Sequence, residues 1–240
     1  MMKLNFVYTK DQRSVVKTVY DHLHTTFTIW VDWDDAPATE EWLDEVHHGI
    51  DETDCVVVFL SCKALLEREV KTRVEYADLH GKRIIPLLCE DVDFSLIYPE
   101  LQAITFISYD ETDMATTLSC LVQACQANKE HVMQHTKLLT QSMLWERRFF
   151  DKALLLQGDD VLKARKWLND AIRGKLPAPT SLHLSYIISS ERHRSMIRKR
   201  IGLAACFLIL VSIGIVYPSW GVFFFMIVFT HTYLYFMVRA

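Results

Sequence analysis

Cys55-Val56-Val57-Val58-Phe59-Leu60 decides the fold. The run is apolar at every position and β-branched at three, so a strand here has no polar face and must be covered on both sides. Central strands of parallel sheets read this way. Outward from it, Arg83–Leu88 (RIIPLL) is a second buried strand, reached through a helix over Ala64–Leu79 that Gly81 ends. On the N-terminal side, Lys3–Tyr8 and Phe27–Val31 read as strands. Between them Val15, Val16, Val19, Tyr20 and Leu23 recur at helical spacing, which predicts a helix over Asp11–His24. Thr39 precedes Glu40-Glu41-Trp42 as a helix cap, and that helix runs to about Ile50. Ile104–Tyr109 is the fifth strand and Thr112–Asn128 the last helix of the unit. Strand–helix alternation around buried strands predicts an α/β fold, a five-stranded parallel sheet flanked by helices, over residues 1–128.

Residues 129–200 carry no strand signal. Val132, Leu139, Met143, Phe150 and Leu154 recur at spacings of 7, 4, 7 and 4, which predicts one amphipathic helix of about seven turns, ended by Gly158. Asp159–Ile172 is a second helix, closed by Gly174. Pro177 and Pro179 break the chain, and Thr180 opens a third helix. This part is an all-α connector.

From Ile201 to Val238 the 38 residues carry no charge unless His231 is protonated. Tyr217-Pro218-Ser219-Trp220-Gly221 interrupts the run and predicts a hairpin of two helices, 201–217 and 222–238. Each half has 17 residues, and at ~1.5 Å rise that gives ~25 Å, the short end of what spans a bilayer. Arg192, Arg194, Arg198, Lys199 and Arg200 precede the run and Arg239 follows it. Basic flanks stay cytoplasmic, so the expectation is a multi-pass protein of the cell membrane with both termini in the cytoplasm. No signal peptide is read at the N-terminus.

Charge is uneven. Residues 1–128 hold 10 Lys+Arg against 23 Asp+Glu, net −13, and residues 129–200 hold 15 against 7, net +8. The acidic head argues against nucleic acid as a partner, and the basic part suits an anionic lipid surface. The six cysteines form no CxxC pair and read as packed thiols, neither disulfides nor zinc ligands; adjacent His47 and His48 face different ways, so no metal site is expected.

Several motifs then fall in order. Phe6-Val7-Tyr8 ends the first strand. Trp30-Val31-Asp32-Trp33-Asp34-Asp35-Ala36-Pro37 makes an acidic loop, and Glu41-Trp42-Leu43-Asp44-Glu45-Val46 follows it. Phe59-Leu60-Ser61 and Gly81-Lys82-Arg83-Ile84-Ile85-Pro86 complete the set. Residues 1–128 resemble a bacterial-type TIR domain, whose first box, BB loop, EWLxxI helix, FxxS strand end and KRxIPI strand these stretches match. That resemblance implies a flavodoxin-like fold. His135-Thr136-Lys137-Leu138-Leu139, Ala153–Gly158 and Pro177–Thr180 resemble the helical module that follows TIR in bacterial signalling proteins.

The resemblance carries two expectations about sites. Many TIR domains cleave NAD with a Glu placed nine residues before the Lys of the G-K/N-K-R stretch. Here that Lys is Lys82, so the position is Arg73. A guanidinium neither releases its proton nor accepts hydrogen bonds, so it cannot replace a carboxylate. Glu75 is about 200° around the helix, while Glu69 shares the face of Arg73 and pairs with it at the surface; neither is a strong substitute catalyst. NAD thus stands as ligand or substrate only, with Tyr8, Thr9 and Arg73 as the binding candidates. Second, the BB loop of TIR domains packs against a neighbouring TIR domain, so Asp32, Trp33, Asp34, Asp35 and Pro37 are the candidate interface and other TIR domains the expected partners, in a homo-oligomer. The leading expectation is a membrane-anchored signalling protein acting by assembly, with phage defence as the setting. The alternatives are a membrane-localised NAD glycohydrolase and a membrane-disrupting effector with a TIR sensor.

Overall fold

The computed structural model describes residues 1–33, 40–216, 226–227 and 229–231. Five parallel strands form one sheet in the order β2-β1-β3-β4-β5. They are β1 (Lys3–Val7), β2 (Thr28–Val31), β3 (Cys55–Leu60), β4 (Arg83–Leu88) and β5 (Ile107–Ser108). β3 is buried at all six positions, as its uniform apolarity requires. Its side chains alternate between two cores. Val57 and Phe59 join Leu4, Phe6, Val16 and Leu121 on one face. Val56, Val58 and Leu60 join Val46, Val74 and Leu101 on the other.

Helices α1 (Arg13–Leu23), α2 (Glu40–Asp51), α3 (Cys62–Leu66), α4 (Arg68–Leu79) and α5 (Met114–Gln126) cover the sheet. The expected helix over 64–79 is two helices. Ser61 Oγ accepts from Ala64 N at 3.1 Å and caps α3, and Glu67 then takes an extended conformation, ψ 122°. The break sets the phase of α4, so Val70, Arg73, Val74 and Ala77 form its buried stripe. β5 is shorter than the expected 104–109, because only Ile107 and Ser108 pair with β4.

α6 (Lys129–Arg147), α7 (Asp159–Ile172) and α8 (Ser181–Val216) form the helical part. Leu138, Trp145, Ala164, Trp167, Leu168 and Tyr186 make its core. The expected seven-turn helix stops at Arg147. Phe149 and Phe150 take left-handed φ of 51° and 62°, and their N–H groups bond back to Glu146 O and Trp145 O. Those bonds close the helix end as a glycine would, without a glycine. The third connector helix does not end before the apolar run: α8 continues unbroken from Ser181 to Val216.

The hairpin of 201–217 and 222–238 finds no support. Among the described residues, no helix is long and apolar enough to cross a membrane. The Tyr217–Gly221 turn and most of the second segment lie outside the described residues. All six cysteines are free, and Cys62, Cys120 and Cys206 are exposed rather than packed.

The sheet meets the helical part through buried polar contacts. Lys82 Nζ donates to Asp51 O at 2.7 Å and Thr53 O at 2.9 Å. Thr136 Oγ1 donates to the same Thr53 carbonyl at 3.2 Å. Burial pulls the Lys82 ammonium down to about 8. His135 and His183 are almost fully buried beside it, with a His183 Nε2–His135 O distance of 3.1 Å. Gly81 sits at φ +62°, where a Cβ would lie 3.2 Å from His135 Nε2 and 3.3 Å from Ala178 O, so both its conformation and its lack of side chain are needed.

Candidate functional site

In a sheet of this order, the direction in which successive strands are added reverses between β1 and β3, and ligands of such folds sit at the carboxyl ends of the strands beside that point. Four segments converge there: Tyr8-Thr9 after β1, Asp32-Trp33 after β2, Ser61 after β3, and Arg73 from α4. Arg73 lies on the buried stripe of α4 and is 6% exposed. Its Nη2 donates to Asp32 Oδ2 at 3.0 Å, and the two side chains are 7% and 15% exposed. Burial lowers the Arg73 pKa, and the Asp32 carboxylate opposes that shift. The guanidinium keeps its charge at any physiological pH.

The backbone of the same loop is held as well. Tyr8 Oη donates to Asp32 O at 2.5 Å. Arg13 Nη2 donates to Trp33 O at 3.0 Å, and Arg13 Cζ lies 5.9 Å from the centre of the Trp33 ring. Trp33 also meets Tyr8 at 6.2 Å and Tyr20 edge-on at 5.6 Å. The start of the acidic loop is thus fixed to β1, α1 and α4 of its own domain. Thr9 is buried, and its N–H and Oγ1 both reach Gln12 Oε1, at 3.0 and 3.1 Å.

The sequence-predicted residues therefore divide. Tyr8, Asp32 and Arg73 come together with Trp33. Thr9 is next to them but engaged with Gln12. Glu69 is exposed in the first turn of α4, and Arg73, whose pKa the Glu69 charge raises, turns inward to Asp32. Glu75 is exposed on the opposite side and pairs with Lys71 at 3.6 Å. Asp34, Asp35 and Pro37 lie outside the described residues. Sequence reasoning missed Asp32 as the partner of Arg73. The available signal was the place of Arg73 on an apolar i, i+3, i+4, i+7 stripe, which demands a buried counter-charge. Among the described residues no group of His, Cys, Asp and Glu could hold a metal ion.

The class defined here is a flavodoxin-like α/β domain with a buried Arg–Asp pair at the carboxyl ends of its strands. A family model described as TIR domain matches residues 6–138, and the chain belongs to that family. The match extends into α6. TIR domains are generally signalling and protein-interaction modules. Among solved structures, the TIR domain of the Toll-related receptor TRR-2 from Hydra magnipapillata is similar at 15% identity, covering 50% of this chain and 93% of that one, with a TM-score of 0.42. A prokaryotic SEFIR domain is similar at 10% identity, covering 52% and 92%, with a TM-score of 0.43. No curated protein matches the chain.

Proposed function

We propose that this chain is a membrane-anchored signalling protein whose TIR domain, residues 1–128, acts by assembling with other TIR domains or partners, without turning over NAD. The observation that supports assembly over hydrolysis is Arg73. The position where the family carries its catalytic Glu holds a cation, already paired with Asp32 in a buried contact. Glu69 and Glu75 are exposed and do not replace it. Residues 129–200 serve as the connector between the TIR domain and the anchor. The anchor rests on sequence alone, on the uncharged run 201–238 between basic flanks. Defence against phage is the setting the resemblance suggests.

Full-length protein expressed in cells should pellet with membranes after alkaline extraction and crosslink into dimers and larger species. Asp34→Lys with Asp35→Lys reverses charge in the acidic loop and should reduce crosslinking at equal expression. The concentrated protein should leave NAD intact over hours. Robust NAD cleavage that Glu69→Gln or Glu75→Gln abolishes would put the glycohydrolase reading first. Crosslinking unchanged by the charge reversal would remove the loop from the interface, and complete extraction by alkali would remove the anchor.

A further inference from the structure

The turn that closes α6 is strained. Phe149 and Phe150 both take left-handed φ, which bulky side chains rarely adopt, and strain of this kind gathers at functional sites. Phe150 turns back onto Trp145, edge-on at 4.8 Å. Phe149 instead stands out from the surface, 93% exposed, with Leu144 half-exposed before it. The charged residues from Leu144 to Lys152 are Arg147, Arg148 and Lys152 against Glu146 and Asp151, net +1, all exposed. Asp151 turns to its own chain, accepting from Ala153 N at 3.0 Å.

A second exposed apolar surface lies beyond the carboxyl ends of β3 and β4. Cys62 N donates to Glu90 Oε1 at 2.5 Å and Tyr98 Oη donates to Ala64 O at 3.0 Å, which fastens α3 to the segment after β4. Leu66 on α3 is 74% exposed, and Phe94 and Leu96 on that segment are exposed as well. Segments 62–67 and 90–98 carry Lys63 against Glu67, Glu90, Asp91 and Asp93, net −3. Lys63 is paired with Asp11 at 3.0 Å, and Arg68 and Glu69, next along the chain, cancel. The helical part joins the sheet at the opposite, amino ends of β3 and β4, through Thr53 and Lys82.

We propose that the Phe149 turn of one chain docks on the Leu66–Phe94–Leu96 patch of a second copy. This rests on the reading that the chain acts by assembly, and it names an interface separate from the acidic loop. Phe149 enters among the three apolar side chains, and Arg148 and Lys152 meet the carboxylates around them. The larger fields favour the same approach: residues 1–128 carry net −13 and residues 129–200 net +8. Because the two surfaces differ, the contact is heterologous. Each chain keeps one of each free, so the contact repeats head to tail into an open assembly.

The test is sedimentation of the full-length chain in detergent across a concentration series. Wild type should form species that grow with concentration, less so at high salt. Phe149→Gly relieves the left-handed strain and should fold at least as well, yet should weaken self-association at least about tenfold. Phe94→Asp should do the same with an unchanged urea midpoint, and Leu66→Asp stands in for it should it fail to fold. Phe149→Gly keeps its patch and Phe94→Asp keeps its aromatic turn, so mixing the two should give a dimer that does not grow. Wild type that stays monomeric throughout overturns this proposal together with the assembly reading. Wild type that associates while the variants associate equally well overturns this proposal alone, as does a mixture no larger than its components.

Discussion

Asp32→Ala would remove the Asp32 carboxylate from the buried Arg73 guanidinium. At an effective dielectric of ~20, opposite unit charges 3.0 Å apart attract by about 5.5 kcal/mol before the desolvation of both groups is counted. Removing one partner of a buried pair costs about 3–5 kcal/mol, and the 15% exposure of the Asp32 side chain points to the lower end, about 3 kcal/mol. At roughly 2–4 °C per kcal/mol for a chain of this size, that is a fall in Tm of about 6–12 °C. Arg73→Met should cost only about 1–2 kcal/mol, because a neutral side chain of similar length fills the stripe and Asp32 can regain water. The double variant should then be less destabilised than the sum of the singles by about 2 kcal/mol. The assay is urea unfolding of the full chain in detergent, followed by tryptophan fluorescence, for wild type, both singles and the double. A change under about 0.5 kcal/mol for Asp32→Ala, or full additivity in the cycle, would refute the reasoning. The same geometry bears on Arg73→Glu. That change restores the family's carboxylate but sets it against Asp32, where two carboxylates cannot both ionise, so activity needs Asp32→Asn beside it.

The remaining expectations concern stability. Trp33→Ala should cost about 1–2 kcal/mol in urea unfolding, because the ring packs on Tyr8, Tyr20 and Arg13 of its own domain; an unchanged midpoint would mean these contacts contribute nothing. Phe149 is 93% exposed at φ 51°, so Phe149→Gly should raise stability by about 1 kcal/mol while Phe149→Ala changes it little. A loss on Phe149→Gly would show that the left-handed turn carries no strain. Burial holds His131, His135 and His183 below their ordinary value, His183 to about 4 and His135 to about 2. The unfolded chain binds these protons below about pH 6.5 and the folded chain does not, so stability is level above that pH and falls below it. At pH 5 each of His135 and His183 should account for about 2 kcal/mol of the loss, and His183→Gln should flatten the decline between pH 7 and 5. Parallel slopes for variant and wild type would count against it.

The limits of β3, β4 and α7 were legible because each is bounded by its own composition: an unbroken apolar strand, a second strand that is apolar after its first residue, Arg83, and a helix set between Gly158 and Gly174. β5 was not, since whether Ile104–Phe106 pairs depends on how the chain after Leu101 approaches β4. The end of α6 was hidden for a different reason: Phe149 and Phe150 continue the apolar spacing of the helix and carry no turn chemistry. Arg73 was legible as an anomaly of position, but its partner was not. Asp32 is 41 residues away, and only the fold brings the two together. The buried contacts of Lys82, His135 and His183 were invisible as well, because each residue type is ordinarily exposed or functional and only the packing of α6 and α8 on the sheet encloses them.

α8 has a mechanical consequence. Its first turns are clamped: His183 and Tyr186 are buried, and Ser190 Oγ accepts from Leu156 N at 3.1 Å. From Ser190 to Val216 the helix runs on for 26 residues, about 39 Å at 1.5 Å per residue, as an unjointed rod. A tilt of about 10° at its clamped base would swing the far end by about 7 Å. Any rearrangement of the sheet–helix contact reaches the tip as leverage, multiplied by length, with no hinge to absorb it.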